Sequence, residues 1–443
     1  MSDKNPIVAV VGAGPAGLFA ARELSSHGIN VVLFNRDIRP GGLAEYGIYP
    51  RKHRLKDGLR KQFHQILGQE TIAYFGNVSI GVNRDLTLED IRGLGFQAIL
   101  VTAGAQGNKA LGLPGEDLEG IYHAKDVVYY YNGLPPYSER PMNFGNRAAI
   151  IGMGNVMMDI ARFLIEVKHA NQVDAYARRG PAEIKFDRRE LLNVIGKVNI
   201  PAFEAEIKRC RALMEALGQN AEEPLDLLHS TAQEAGVDQT EGPLSIHFLL
   251  SPKQFIGDEK GHVKAVEWEE NTLVAAGDTT KAVGSGRTIT TPVDTVIYAI
   301  GDQVDDQLGL PLQKGAFIRN LSPLYPIDGE SYEAAASDGS PLEGIFLAGW
   351  SRNASTGQVG IANRDGTNGS RAVLEYLNGK STPEKDVLDA TRQRLSTLGK
   401  PVVTWKEIKR LLEVESLRGC AYGDEEFKLI SNQEMLTVMG LLE

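Results

Sequence analysis

The stretch that decides the fold reads Ile7-Val8-Ala9-Val10-Val11, then Gly12-Ala13-Gly14-Pro15-Ala16-Gly17, then Leu18-Phe19-Ala20-Ala21-Arg22-Glu23-Leu24. The five apolar residues predict a buried parallel strand, and the run after the glycines predicts a helix that Gly28 terminates. A second strand, Val31 to Phe34, closes a βαβ unit. Each glycine has its own task. Gly12 permits the tight turn, Gly14 lets the backbone approach a pyrophosphate, and Gly17 lets helix and strand pack closely, while the helix N-terminus offers unpaired N–H groups and positive dipole to the phosphates. A glycine triplet alone is a weak sign. Strand, turn, helix and strand in succession point to dinucleotide binding rather than to a merely structural βα turn.

At the tip of the second strand an acidic side chain normally receives the ribose hydroxyls, and here that position is Asn35, followed by Arg36 and Asp37. An amide still bonds a hydroxyl but gives up the charge-assisted form, a difference of about 1 kcal/mol. A second fingerprint starts 140 residues after the first: the strand Ala148 to Ile151 leads into Gly152-Met153-Gly154-Asn155-Val156-Met157-Met158-Asp159 and the helix Ile160 to Val167. Met157 replaces its third glycine, and that bulk is expected to push helix and strand apart without touching the two phosphate-facing glycines. The next strand, Val173 to Ala177, ends in Arg178-Arg179-Gly180-Pro181. No carboxylate sits there, and planar guanidinium forks bind a 2′-phosphate bidentately. NADP is therefore favoured over NAD at this turn, with a solvated surface pair as the bland alternative. Two dinucleotides are implied.

The 443 residues, 42% of them hydrophobic, suffice for two or three domains, each with its own core. A net charge of -10 with no long basic stripe argues against nucleic acid as a partner. Two cysteines, Cys210 and Cys420, are too few for a disulfide framework or a cluster site and suit a reducing cytoplasm. The apolar stretch Ile7 to Ala21 lacks a basic leader and a cleavage site and is too short to span a bilayer. A soluble cytoplasmic protein is expected.

The stretch Gln97 to Ala105, with Ala98 to Gly104 within it, reads as a further buried strand ending at a glycine, and Thr295 to Gly301 reads as a second such strand beyond the other fingerprint. The expected architecture is α/β, with two Rossmann-like three-layer domains. Residues 1–105 and 304–443 form the first, and residues 106–303 are inserted in it as the second. Within the insertion, Pro201 to Ala235 reads as helical and Leu244 to Thr291 as antiparallel strands and hairpins. Gly344 to Gly349 reads as a strand, and the chain ends in helices with capping boxes at Thr404/Glu407 and Ser431/Glu434.

The order of these motifs carries a resemblance. Gly12 to Gly17, Gly42-Leu43 leading to Gly47-Ile48-Tyr49-Pro50, Gly152-x-Gly154-Asn155 with Asp159-Ile160-Ala161-Arg162, Arg178-Arg179-Gly180-Pro181, and Gly349-Trp350 with Thr356-Gly357 resemble the adrenodoxin reductase-like ferredoxin-NADP reductases of the glutathione-reductase-like fold. Trp405 and Gln433-Glu434-Met435-Leu436 extend the resemblance to the end of the chain. It implies FAD at the first turn and NADPH at the second. By matching position, FAD contacts fall on Ala16, Asn35, Leu43, Ile80, Trp350 and Gly357-Gln358-Val359, and NADP contacts on Met153, Gly154, Asn155, Val156, Arg178, Arg179, Glu190 and Gly357. The family's glutamate is replaced by Asn35, and Arg51-Lys52-His53 stands where the family has Asp-His-Pro, so an active-site histidine is either shifted to His53 or replaced by Lys52.

The reaction class follows by elimination. No Cys-x-x-Cys supports disulfide reduction, no His or Cys spacing supports a metal, and no Gly-x-Ser-x-Gly elbow announces a hydrolase. Hydride transfer between NADPH and flavin remains, with single electrons leaving to a ferredoxin or flavodoxin carrier. Trp350 stacks on or shields the flavin ring, or is a core tryptophan; Asp159 faces the nicotinamide pocket, or caps local donors. The run Tyr129-Tyr130-Tyr131 reads as packing between domains. Arg51, Lys52, Arg54, Lys56, Arg60 and Lys61 gather six cations against Asp57, a patch that could steer an acidic carrier, or be a solvated amphipathic helix face or a neighbour to cofactor phosphates. Lys208, Arg209 and Arg211 form a weaker candidate, and the helix that aligns with the family's basic docking segment is acidic here, at Glu222, Glu223 and Asp226. Two rival readings are an electron-input subunit like the small subunit of glutamate synthase, whose amino-terminal cluster cysteines have no counterpart before Ile7, and a flavin-binding sensor without activity.

Overall fold

Every residue of Ile7–Val11 is buried, as a strand covered on both faces requires. In the computed structural model, which describes residues 5–277, 279–354, 357, 359–380, 386–422 (of 422 the backbone only) and 426–443, this strand sits inside a six-stranded sheet. The order is Glu333–Ala335, Pro341–Leu347, Ala98–Val101, Ile7–Val11, Asn30–Phe34, Ile72–Phe75. All neighbours are parallel except the edge strand Glu333–Ala335. Alternate side chains sort to opposite faces: Val8 and Val10 join Leu18, Leu24 and Val373 in one core, and Ala9 and Val11 join Phe34, Ile99 and Leu347 in the other. The chain leaves Ile7–Val11 to one side and returns through Ala98–Val101 on the other. That reversal is a topological switch point, and ligands of such sheets bind at the carboxyl ends of the two strands that flank it.

The second sheet repeats the plan. Its order is Ile121–His123, Thr295–Tyr298, Arg147–Ile151, Gln172–Tyr176, Leu244–His247, all parallel. The switch point lies between Arg147–Ile151 and Thr295–Tyr298. Leu244–His247 is a correction to the antiparallel reading of residues 244–291: it pairs in parallel register with Gln172–Tyr176 as the edge of this sheet. Its alternation of buried and half-buried residues comes from an edge position. Antiparallel pairing begins only afterwards, in Leu250–Gly257, Val263–Ala276 and Thr279–Pro292. The helical stretch resolves into Ile200–Ala216 and Glu222–Glu234.

Packing divides the chain into one unit of Met1–Asn108, Asn132–Glu139 and Asp302–Glu443 and another of Lys109–Tyr131 and Arg140–Gly301. The single insertion expected over 106–303 is thus interrupted, because Asn132–Glu139 belongs to the first unit. Lys56 Nζ donates to Asn132 Oδ1 at 2.9 Å and Ser138 Oγ to the Ile430 carbonyl at 2.6 Å. Tyr130 and Tyr131 lie against Phe163, and Tyr130 also against Phe144, all within the second unit. Of the two expected capping boxes, Glu407 accepts from the Thr404 N–H at 2.9 Å, whereas the Ser431 side chain makes no capping bond.

Cys210 is buried in Ile200–Ala216, and burial pushes its thiol up to about 11; Cys420 is exposed. At pH 8 a thiol of that acidity is about 0.1% thiolate. A thiol-exchange titration of the native protein is expected to read one fast cysteine per chain, and a second only in denaturant. Two fast thiols in the native state would contradict this packing.

Candidate functional site

Gly12 has φ +109°, and a Cβ there would stand 2.6 Å from the Thr102 carbonyl oxygen. A Cβ on Gly17 would stand 2.0 Å from the Gly12 carbonyl oxygen, to which the Thr102 hydroxyl donates at 2.7 Å. The first turn is therefore closed onto the neighbouring strand across the switch point. Gly14 is the opposite case: a Cβ there meets nothing within 4 Å, so its backbone faces open space beside the N-terminus of Pro15–Ser26. The Gly41 N–H donates to the Ala13 carbonyl at 2.7 Å, and a Cβ on Gly42 would lie 3.0 Å from Gly14 Cα. Leu43, half-buried, follows at the start of Leu43–Tyr46. An open glycine backbone, a helix N-terminus and a folded-over loop make a cradle that fits a pyrophosphate.

The structure turns Asn35 inward. Its carbonyl accepts from the Ala13 N–H at 3.0 Å, and its amide donates to the carbonyls of Asp37 at 2.8 Å and Arg39 at 3.0 Å. The side chain expected to receive ribose hydroxyls instead clasps the glycine turn to the loop after the second strand. From Arg39 the contacts continue: its buried guanidinium pairs with Glu415 of Trp405–Tyr422, which also accepts from the Leu429 N–H at 2.6 Å. Nearby, Arg60 grips Glu45 through two bonds of 2.8 and 2.9 Å, and Lys428 pairs with the same carboxylate. Burial alone would raise the Glu45 carboxyl, but Lys428 and Arg60 overcome it and hold the group well below the usual carboxylate range.

The remaining positions expected at the first turn divide. A Cβ on Gly349 would lie 2.7 Å from Ala16 Cβ, so the half-buried Trp350 follows a glycine pressed against the turn helix. Val359 opens the helix Val359–Leu377, whose Gly366 is seated on the backbone of Ala16. Gly357 is exposed with φ +81°; Gln358 and Thr356 lie outside the described residues. Ile80 packs on the core next to the sheet.

The second turn copies the first. Gly152 has φ +127° and its Cβ would stand 2.2 Å from the Ala299 carbonyl oxygen, while a Cβ on Gly154 meets nothing within 4 Å. Met157 is fully buried at the third position. Asn155 and Asp187 hold each other: Asn155 Nδ2 donates to Asp187 Oδ2 at 3.0 Å and the Asp187 N–H donates back to Asn155 Oδ1 at 2.9 Å. Asp187 also caps Arg188–Val194 through the Glu190 N–H, which places the buried Glu190 behind this lock. Met153 accepts from the Lys185 N–H at 3.1 Å, Val156 is exposed, and Asp159 is half-buried on the helix Asn155–Glu166. Arg178 is exposed and forms no ion pair among the described residues; Arg179 Nε pairs with Glu183 Oε2 at 2.9 Å. Lys185, also exposed, adds a third cation.

The basic patch is thinner than the sequence suggests. Lys56 is buried on Asn132, and burial draws its ammonium down to about 8; Arg60 is held by Glu45, and His53 Nδ1 lies 2.8 Å from Glu426. Arg51, Arg54 and Lys61 remain exposed. In the weaker cluster, Arg209 and Arg211 are paired with Glu206 and Glu222.

Two closed glycine turns at two switch points define a protein with two dinucleotide-binding folds. The chain belongs to the pyridine nucleotide-disulphide oxidoreductase family, whose model matches residues 6–321. It is 31% identical over 396 residues to the mitochondrial NADPH:adrenodoxin oxidoreductase of Arabidopsis thaliana, covering 80% of this chain and 78% of that protein. It is 27% identical to the NADPH-ferredoxin reductase FprA of Mycobacterium leprae, covering 97% and 98%. The solved structure of Mycobacterium tuberculosis FprA in complex with NADPH superposes with a TM-score of 0.80 at 23% identity, over 98% of this chain and 99% of that one, and shares the fold. The protein is an oxidoreductase that works with FAD and NADPH.

Sequence reasoning passed over Thr102, Ser351 and Asp365. Ser351 Oγ accepts from the Gly104 N–H at 3.0 Å, and buried Asp365 accepts from the Gly349 N–H at 2.6 Å and from Arg352. None belongs to a local motif. The ionic network yields a pH prediction. The stability contributed by Glu45 is fully present above about pH 4.5, its ordinary value, and is lost as pH falls below it toward the lowered folded value. Denaturant melts from pH 7 to 3 are expected to show a steep acid limb. Glu45→Gln should remove about 3 kcal/mol at pH 7 and flatten that limb; an unchanged limb would contradict the assignment.

Proposed function

We propose that the protein takes electrons from NADPH held at the second turn, through FAD held at the first, to a one-electron carrier of ferredoxin or flavodoxin type. The observation that carries this reading is the matching pair of closed turns, of which only the second is followed by unshared cationic charge, at Arg178 and Lys185. When bound there, FAD would supply the two-electron and one-electron chemistry, taking up hydride from NADPH and giving up its two electrons singly with the accompanying proton released to solvent. The residues around it bind and orient. Gly14 and the N-terminus of Pro15–Ser26 take the pyrophosphate, the loop Gly41–Leu43 covers it, and Trp350 and Val359 complete that side. At the second turn, Gly154 admits a pyrophosphate, and Arg178 and Arg179 select the 2′-phosphate that distinguishes NADPH from NADH.

Cys210 and Cys420 are both free, so no dithiol competes for the electrons within the chain. The names of the relatives, which act on adrenodoxin and ferredoxin, support a carrier of that class. Such carriers are usually acidic, and the exposed Arg51, Arg54 and Lys61 would steer one toward the first unit by long-range attraction. A reducing compartment such as the cytoplasm fits both cysteines remaining free.

Arg178→Ala combined with Arg179→Ala is expected to raise the KM for NADPH tens-fold or more and leave that for NADH nearly unchanged, since each charge-assisted contact is worth about 1.5–3 kcal/mol. Steady-state kinetics with both nucleotides checks this. Equal loss with NADPH and NADH would refute the assignment.

A further inference from the structure

The strands Val263–Ala276 and Thr279–Pro292 form a hairpin longer than its sheet. Leu250–Gly257 pairs with residues 263–270, and beyond the bulge at Glu269/Asn271 no third strand among the described residues pairs with the ribbon. A two-stranded ribbon is marginal in water unless one face is packed. Here one face is packed, on the arginine loop. Leu273 is 4% exposed and reaches Gly180, where an added Cβ would lie 3.2 Å from Leu273 Cδ1. Asn271 Nδ2 donates to the Arg178 carbonyl at 2.9 Å and to Ser251 Oγ at 2.8 Å. The Asn271 N–H donates to the Leu249 carbonyl at 2.8 Å, and the Leu249 N–H in turn to the Arg179 carbonyl at 3.2 Å. At the far end, the Thr280 hydroxyl donates to Glu183, whose other oxygen holds Arg179 Nε at 2.9 Å.

Both arginine carbonyls and one guanidinium are thus fixed by the hairpin and the residues it touches. An arginine held by this ion pair on its Nε side keeps its terminal N–H donors for a ligand. Fixing it beforehand removes rotamer freedom that binding would otherwise have to remove. We propose that the outer hairpin is the specificity-positioning element of the second site: Asn271 fixes the backbone of Arg178, and Thr280 and Glu183 preset the guanidinium of Arg179, to receive the 2′-phosphate. This rests on the reading of that site as the NADPH site.

The test uses the flavin-loaded protein and two probes, 2′,5′-ADP and 5′-ADP, with affinities read by calorimetry. Thr280→Val, which removes the hydroxyl and keeps the shape, is expected to weaken 2′,5′-ADP about tenfold, the scale of one charge-assisted contact, and to leave 5′-ADP within about twofold of wild type, the scatter of a neutral surface change. The KM for NADPH should rise in step while kcat at saturation holds, and Thr280→Ser should restore both. Arg178→Ala is the control for the underlying reading. If Arg178→Ala weakens 2′,5′-ADP and Thr280→Val does not, the hairpin proposal is overturned and the NADPH reading stands. If Thr280→Val weakens both probes equally, the hairpin merely supports the fold and the proposal is likewise overturned. If Arg178→Ala leaves 2′,5′-ADP unaffected, the NADPH reading itself fails.

Discussion

At Gly12 and Gly152 there is no room for a side chain: a Cβ would lie 2.6 Å from the Thr102 carbonyl oxygen in one case and 2.2 Å from the Ala299 carbonyl oxygen in the other. Thr102 follows Ala98–Val101 directly and Ala299 follows Thr295–Tyr298 directly, so each glycine closes its turn against the strand on the far side of a switch point. This close approach aims the N-termini of Pro15–Ser26 and Asn155–Glu166 at the carboxyl ends of their sheets. The third position breaks the likeness. A Cβ at Gly17 would overlap the Gly12 carbonyl, whereas Met157 is accommodated and fully buried, so the two helices cannot meet their strands in the same way.

What distinguishes the two turns chemically is where charge is left unshared. Behind the first, the charges are paired and mostly buried: Arg39 with Glu415, Glu45 with Arg60 and Lys428. Breaking such a pair strands an uncompensated charge, so the network is better understood as fixing the loop Arg39–Leu43 in place than as a source of net stability. Asn35 belongs to the same device, since it joins Ala13 to the carbonyl of Arg39. Beside the second turn Arg178 and Lys185 are exposed without ion-pair partners among the described residues. On one repeated backbone plan, the two turns thus differ in whether nearby cationic charge is paired or left exposed.

The parts legible in the sequence were those that a local pattern dictates. Five consecutive apolar residues, a glycine turn and a capped helix need only their own neighbours, and Ile7–Val11, Pro15–Ser26, Asn30–Phe34 and their counterparts around Gly152 fall where the pattern puts them. Residues whose meaning depends on a distant partner were not legible. Thr102 acts on Gly12, Glu415 on Arg39 and Asn271 on Arg178, and no spacing rule connects them. The same blindness made Lys56 and Arg60 count as surface cations, because Asn132 and Glu45 are invisible as partners until the chain is folded. Leu244–His247 was misread for a related reason: an edge strand of a parallel sheet alternates like an antiparallel one.

NADPH bound at the second turn would pass its electrons to FAD bound at the first. Anaerobic rapid-mixing of the flavin-loaded protein with NADPH and, separately, with NADH tests it most directly, followed by addition of an oxidised ferredoxin. The account predicts that NADPH bleaches the flavin absorbance rapidly, that NADH does so far more slowly, and that the ferredoxin restores the colour. A flavin that stays oxidised with NADPH, or bleaches equally fast with both nucleotides, would contradict it.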